Sequence, residues 1–364
     1  MSQNGGQQIL PGAKDPKITG GVNTFNAVGG NMNIYQSERT GMKMLHENIS
    51  PGAFHNSAER SDPPQCHSGT RTEILCQIME WIRAPEPQRK LIIWLNGPAG
   101  CGKTAIEQTI AEICEQEGRL AAAFFFGRTI ARRNDLSRVV ATLAFQLLQS
   151  FPEIKETLLG VIETDQAIFS RSLEVQAQRL IVAPLVSLRT SSPKAILIDG
   201  VDECGPDGEA QARLLRVLGD AAARLQHIPI TFFIASRPEA PIRLEFNSEP
   251  FQNLTQSIVL DNNYKPDDDI RLYLRYRFAI IHRKQIALGV KFPSEWPSDD
   301  AIKRLVAKSS GQFIYASTVV KFMTPKLLFV SIMPHCTTFS WINPGPKIIL
   351  LTSGKGIASS VNAG

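Results

Sequence analysis

The stretch Lys90-Leu91-Ile92-Ile93-Trp94-Leu95-Asn96-Gly97-Pro98-Ala99-Gly100-Cys101-Gly102-Lys103-Thr104 decides the fold. It opens with an apolar, β-branched run that reads as a buried strand. It closes with Gly97-x-x-x-x-Gly102-Lys103-Thr104, the spacing of a phosphate-binding loop. A helical pattern follows at once, with Ile106, Ile110 and Ile113 on one side. Strand, glycine loop and helix in that order are the context the spacing needs.

The residue types follow from the chemistry of a phosphate chain. Several backbone N–H groups must point inward, and only a loop with few side chains lets the backbone come close. The expected cradle runs from Gly97 through Pro98, Ala99, Gly100, Cys101 and Gly102 to Lys103, Thr104 and Ala105. The helix that starts near Gly102 adds its positive N-terminal end. Lys103 places a point charge on the β- and γ-phosphates, and the Thr104 hydroxyl is a hard oxygen ligand for Mg²⁺.

A second landmark is Ala195-Ile196-Leu197-Ile198-Asp199-Gly200-Val201-Asp202-Glu203-Cys204. Four apolar residues ending in an acid form the partner pattern of such a loop. Asp199 is expected to hold Mg²⁺ through water beside Thr104. Asp202 and Glu203 lie one short turn on, where a carboxylate could orient or deprotonate a water, although acids there also simply begin helices. The run Ile230 to Ala235 reads as another strand, ending at Ser236-Arg237-Pro238. An arginine at that edge can reach a γ-phosphate or form a surface salt bridge. Leu120 to Phe126 and Ser257 to Leu260 complete five expected strands.

Bulk properties bound the rest. The 364 residues suggest about two domains, and 43% hydrophobic content supports a sizeable core. The net charge of +5 is spread out, with no Lys/Arg block to mark a specific nucleic-acid partner. The six cysteines contain no CxxC pair, which argues against a disulfide framework or zinc site. No basic-then-apolar leader opens the chain, and Lys326 to Met333 is too short to span a membrane. The expectation is a cytoplasmic protein.

Residues 1–49 are rich in Gly, Asn, Gln and Ser and read as a disordered leader. Within them, Ile18 to Tyr35 has the low charge and spaced apolar residues of a stacked cross-β segment. Thr70-x-x-Glu73 reads as a capping box before a helix carrying Ile74, Leu75, Ile78, Met79 and Ile82. Helical periods also mark Asn134–Leu148, a helix introduced by Pro152, and Leu173–Leu188 with a kink or break at Pro184. Further on, helices are expected over Ile270–Phe278 behind Asp267, Asp268 and Asp269, over Glu295–Lys308, and over Gly311–Phe322.

Together, Gly97–Thr104, Ile198-Asp199-Gly200-Val201-Asp202-Glu203 and Ala235-Ser236-Arg237-Pro238 resemble the NACHT domain, the nucleotide switch of NLR-type STAND ATPases. Ser50-Pro51-Gly52-Ala53-Phe54-His55, Gly69-Thr70-Arg71 and Gly311-Gln312-Phe313-Ile314-Tyr315-Ala316 resemble its fungal branch, also described as a nephrocystin-3-like N-terminal domain. The resemblance implies an α/β P-loop NTPase with a five-stranded parallel sheet flanked by helices, and a small C-terminal helical lid. It divides the chain into a leader (1–49), a helical segment (50–89), the NTPase core (90–262), the lid (263–323) and an irregular tail (324–364). It implies ATP/ADP and Mg²⁺ as ligands, Arg71 near the base, and Lys103, Asp202, Glu203 and Arg237 around the reacting phosphate. It also implies homo-oligomerisation on activation, an unknown effector, and a role in fungal defence or regulated cell death, with at most slow ATP hydrolysis. The leader is similar to amyloid-type signalling motifs.

The departures are specific. The family lid often carries a proline that touches adenine, where this chain reads Gly311-Gln312-Phe313. No winged-helix segment or repeat array follows, so a truncated or misjoined gene product is expected. Two other classes stay open: an ordinary P-loop ATPase or kinase, and an assembly scaffold driven by the leader with a relic nucleotide site.

Overall fold

The computed structural model describes residues 32–84, 90–190, 192–205, 207–249, 251–261, 264–290, 292–293, 295–332, 338–341 and 348–351. In chain order the helices of the first half are α1 (Met32–Asn48), α2 (Thr72–Arg83), α3 (Lys103–Gln116), α4 (Val139–Ser150), α5 (Lys155–Thr164), α6 (Leu173–Ala177) and α7 (Ala183–Leu185). Those of the second half are α8 (Gly208–Arg224), α9 (Ala240–Phe246), α10 (Phe251–Leu254), α11 (Pro266–Ala287), α12 (Asp299–Ser309) and α13 (Phe313–Ile332). The strands are β1 (Ile92–Asn96), β2 (Leu120–Phe125), β3 (Lys194–Asp199), β4 (Ile230–Ser236) and β5 (Thr255–Val259), followed by β6 (Thr338–Trp341) and β7 (Ile348–Leu351).

Strands β1 to β5 form one parallel sheet in the order β2-β3-β4-β1-β5. Helices cover both faces, which is why β1, β3 and β4 read as continuous apolar runs. Alternate residues serve opposite layers. Ile92, Trp94, Ile196, Ile198, Phe232 and Ile234 join the core beneath α1, α4, α5, α6 and α8. Ile93, Leu95, Leu197 and Phe233 join a second core beneath α2 and α3. A third core, built on Ile270, Leu274, Phe278, Ile302 and Val320, belongs to α11, α12 and α13. The expected five-stranded parallel sheet, its flanking helices and the C-terminal helical unit are therefore all present.

Five sequence expectations need correction. Residues 40–49 are part of the folded body, not a leader: Gly41, Leu45 and Ile49 are buried, and α1 lies against α5 and α4. Ser50 N–H donates to Thr142 Oγ1 at 2.9 Å, fixing the exit of that helix. Residues 32–39, with the last four of the cross-β segment, begin α1; residues 1–31 lie outside the described residues.

The Thr70–Glu73 capping box does not form. The Thr70 hydroxyl instead donates to His67 O at 2.7 Å, and α2 starts after Arg71, which has a left-handed φ of 56°. The 50–89 segment is less helical than expected, holding two short 3₁₀ turns before α2. At Pro184 the chain does not break: a π segment, Gln178–Val182, precedes it and the helix continues through Ala183–Leu185. The tail is more regular than expected. Helix α13 runs on to Ile332, and β6 pairs antiparallel with β7.

Candidate phosphate-binding site

The loop 97–102 carries the chain from the end of β1 into α3. Gly100 and Gly102 have φ of 77° and 102°, where side chains are disfavoured. A Cβ on Gly100 would also lie 2.3 Å from Ile314 Cγ2, so that position is closed to side chains twice over. Pro98 and Ala99 are exposed at the rim, Cys101 is buried beneath, and Thr104 and Ala105 form the first turn of α3. The Lys103 ammonium lies along the loop and donates to Gly97 O at 2.8 Å and Pro98 O at 3.0 Å.

Strand β3 ends on Asp199, which is buried. The Thr104 hydroxyl lies near enough to its carboxylate to favour the charged form. Burial pushes the Asp199 carboxyl up to about 6; the Thr104 hydroxyl and the positive charges of Arg60 and Lys103 pull it back, while Glu203 adds to the rise. Loop lysine, helix threonine and strand-end aspartate thus share one site. The core is a P-loop NTPase fold.

The donor set fits Mg²⁺. One hydroxyl and one carboxylate are hard oxygen ligands, and this ion keeps waters and takes phosphate oxygens instead of demanding an all-protein cage. Among the described residues no group of three His, Cys, Asp or Glu forms a dedicated metal cluster.

Asp202, Glu203 and Arg237 form a second group beside the first. Asp202 is buried; its Oδ1 accepts from Arg237 N–H at 2.9 Å and its Oδ2 lies 3.1 Å from Arg237 Nε. The Glu203 carboxylate accepts from Arg128 N–H at 2.9 Å. Both carboxylates therefore have protein partners. Strand β4 lies between β1 and β3, so its end carries Arg237 between the phosphate loop and Asp199.

Arg71 faces the same loop from the other side. Its guanidinium donates to Cys101 O at 2.9 Å and lies 5.1 Å from the Phe313 ring centroid. Its backbone N–H donates to Asp269 Oδ2 at 3.0 Å. Asp269 belongs to α11 and Phe313 to α13, so Arg71 joins the C-terminal helices to the loop. Ile314 N–H adds a bond to Gly100 O at 3.2 Å.

Three charged residues that carry no sequence motif complete the site. Arg60 is buried, its guanidinium carbon 3.7 Å from the Phe125 ring centroid; burial lowers it to about 10. Arg133 is buried too, donating to Phe125 O and Phe126 O at 3.0 Å. Glu107 is fully buried on α3. Its carboxylate oxygens find no hydrogen-bond partner among the described residues, and burial, then the charge of Asp199, holds it well above the usual carboxylate range.

The family described as Nephrocystin 3, N-terminal, matches residues 69–237 of the chain. No curated protein matches it. Solved structures that resemble it include AMPPCP-bound DnaA from Aquifex aeolicus, at 13% identity over 76% of this chain and 67% of that one, TM-score 0.37. Domain III of DnaA from Thermotoga maritima is similar at 12% identity over 77% of this chain and 91% of that one, TM-score 0.39. PCH-2 from C. elegans is similar at 12% identity over 80% and 70%, TM-score 0.36. No described helix is long and apolar enough to cross a membrane.

Proposed function

We propose that the chain is an adenine-nucleotide switch of the NACHT type, binding ATP or ADP with Mg²⁺ in the cytoplasm. The observation that carries this reading is the meeting of Thr104 with Asp199 beside Lys103 at the mouth of a glycine loop. Lys103 and the first turn of α3 receive the β- and γ-phosphates, and Thr104 and Asp199 hold the metal. Bound Mg²⁺ would draw charge from the phosphate oxygens.

The partners of Asp202 and Glu203 support a slow switch over a fast ATPase. A general base must be free to take a proton from water, and both carboxylates accept bonds from Arg237 or Arg128. The contacts of Arg71 and Ile314 with the loop give the C-terminal helices a way to sense its occupant. In this reading ADP favours a monomer and ATP favours a homo-oligomer that engages an effector in defence or regulated cell death.

Light scattering of the purified chain with MgATP and with MgADP tests it. A larger particle in MgATP alone, absent in Lys103→Ala, is expected. The same mass under both nucleotides would count against the switch.

A further inference from the structure

Arg60 lies outside the residues that match the family, on the short turn Ala58–Arg60. It nevertheless touches α3, its own segment and the end of β2. One guanidinium nitrogen donates to Gln108 Oε1 at 2.7 Å, on α3, one helical turn after Thr104. The same nitrogen donates to His55 O at 3.1 Å and Phe54 O at 3.4 Å, in its own segment. The guanidinium plane covers Phe125, and Phe125 is the register partner of Asp199 across β2 and β3.

The charges around it call for such a cation. Glu107 and Asp199 are two buried carboxylates that feel each other. Uncompensated, such a pair costs several kcal/mol. Among the described residues, the charges of Arg60, Lys103 and Arg133 act on Asp199. Lys103 bonds the loop carbonyls, and Arg133 bonds Phe125 O and Phe126 O. Lys103 begins α3 but bonds only the loop, whereas Arg60 ties α3, through Gln108, to Phe125, the neighbour of Asp199.

We propose that Arg60 is a positioning residue of the metal site: by bridging α3 to the end of β2 it sets the spacing between Thr104 and Asp199. The phosphate site then extends into the segment before the family match. The inference rests on the nucleotide reading above, and its test separates the two.

The test compares wild type, Arg60→Met and Arg60→Lys. ATP binding is titrated with Mg²⁺, and ADP binding is measured in EDTA. Removing a residue that orients a metal ligand costs about 10- to 100-fold in metal affinity. Arg60→Met should raise the Mg²⁺ half-saturation by about that factor and leave ADP affinity in EDTA near wild type. Arg60→Lys, which keeps the charge, should recover part of the loss and serves if the methionine variant fails to fold. An unchanged Mg²⁺ half-saturation, or a parallel fall in both affinities, would overturn the proposal. If wild type binds no nucleotide, the nucleotide reading falls by itself. The positioning role is then read from the backbone amide resonances of Asp199 and Gly200 in ligand-free Arg60→Lys: displacement supports it, and unmoved signals overturn it.

Discussion

Replacing Arg71 by methionine should release the C-terminal helices from the phosphate loop. The side chain is almost completely buried, so solvent screening is small. Its charge-assisted bond to Cys101 O stabilises the docked state by about 1.5–3 kcal/mol. The cation–π contact with Phe313 adds about 0.5–1 kcal/mol. Two contributions survive the change. Asp269 loses its ion pair with the Arg71 guanidinium, 3.8 Å away, but keeps its bond from the residue 71 backbone N–H, and Ile314 keeps its bond to Gly100. The left-handed φ at position 71 burdens both side chains alike and cancels. The net loss is about 2–4 kcal/mol, or roughly 30- to 700-fold in the ratio of docked to released helices. Because α11, α12 and α13 share their own core, they should open as one body. Hydrogen exchange measures this directly: amides of α11 and α13 should exchange faster, while those of α8 keep their rate. Unchanged exchange in α11 and α13, or equal acceleration in α8, would refute the reasoning.

Asp199 gives a pH signature. Its carboxyl holds a proton more tightly folded than unfolded, because burial raises it from 3.8 to about 6. Between about pH 4 and 6 the folded state therefore binds more protons, and stability falls as pH rises, by about 3 kcal/mol from this group. Urea unfolding of wild type and Asp199→Asn across that window should show the difference growing by this amount; parallel curves would contradict it. In α1, Leu45 is completely buried, so Leu45→Ala should cost the whole domain about 2–5 kcal/mol. Thermal unfolding checks this, and an unchanged midpoint would return α1 to the status of a leader.

The strands were legible because a sheet buried on both faces writes itself as unbroken apolar runs, as in Ile92–Leu95 and Ala195–Ile198. The phosphate loop was legible because its backbone geometry demands glycine at fixed spacing, and Asp199 because it ends a buried strand. Helix α1 was hidden by composition. Its Gly/Asn-rich approach masks the spacing of Gly41, Leu45 and Ile49, which alone marks a buried face. The capping box misled because a hydroxyl at Thr70 has two uses, and the turn at His67 took it. Arg60, Arg133 and Glu107 were not legible. A charged residue declares its burial only through partners distant in sequence, and Gln108 and Phe125 are 48 and 65 positions from Arg60.

The most direct measurement is calorimetric binding of ATP and ADP, with and without Mg²⁺, to wild type and Lys103→Ala. The lysine contributes a charge-assisted phosphate contact worth about 1.5–3 kcal/mol, so the variant should bind roughly 10- to 150-fold more weakly. Mg²⁺-dependent binding that collapses in Lys103→Ala is the predicted result. A folded wild-type protein that binds neither nucleotide, or a variant that binds as well as wild type, would contradict the account.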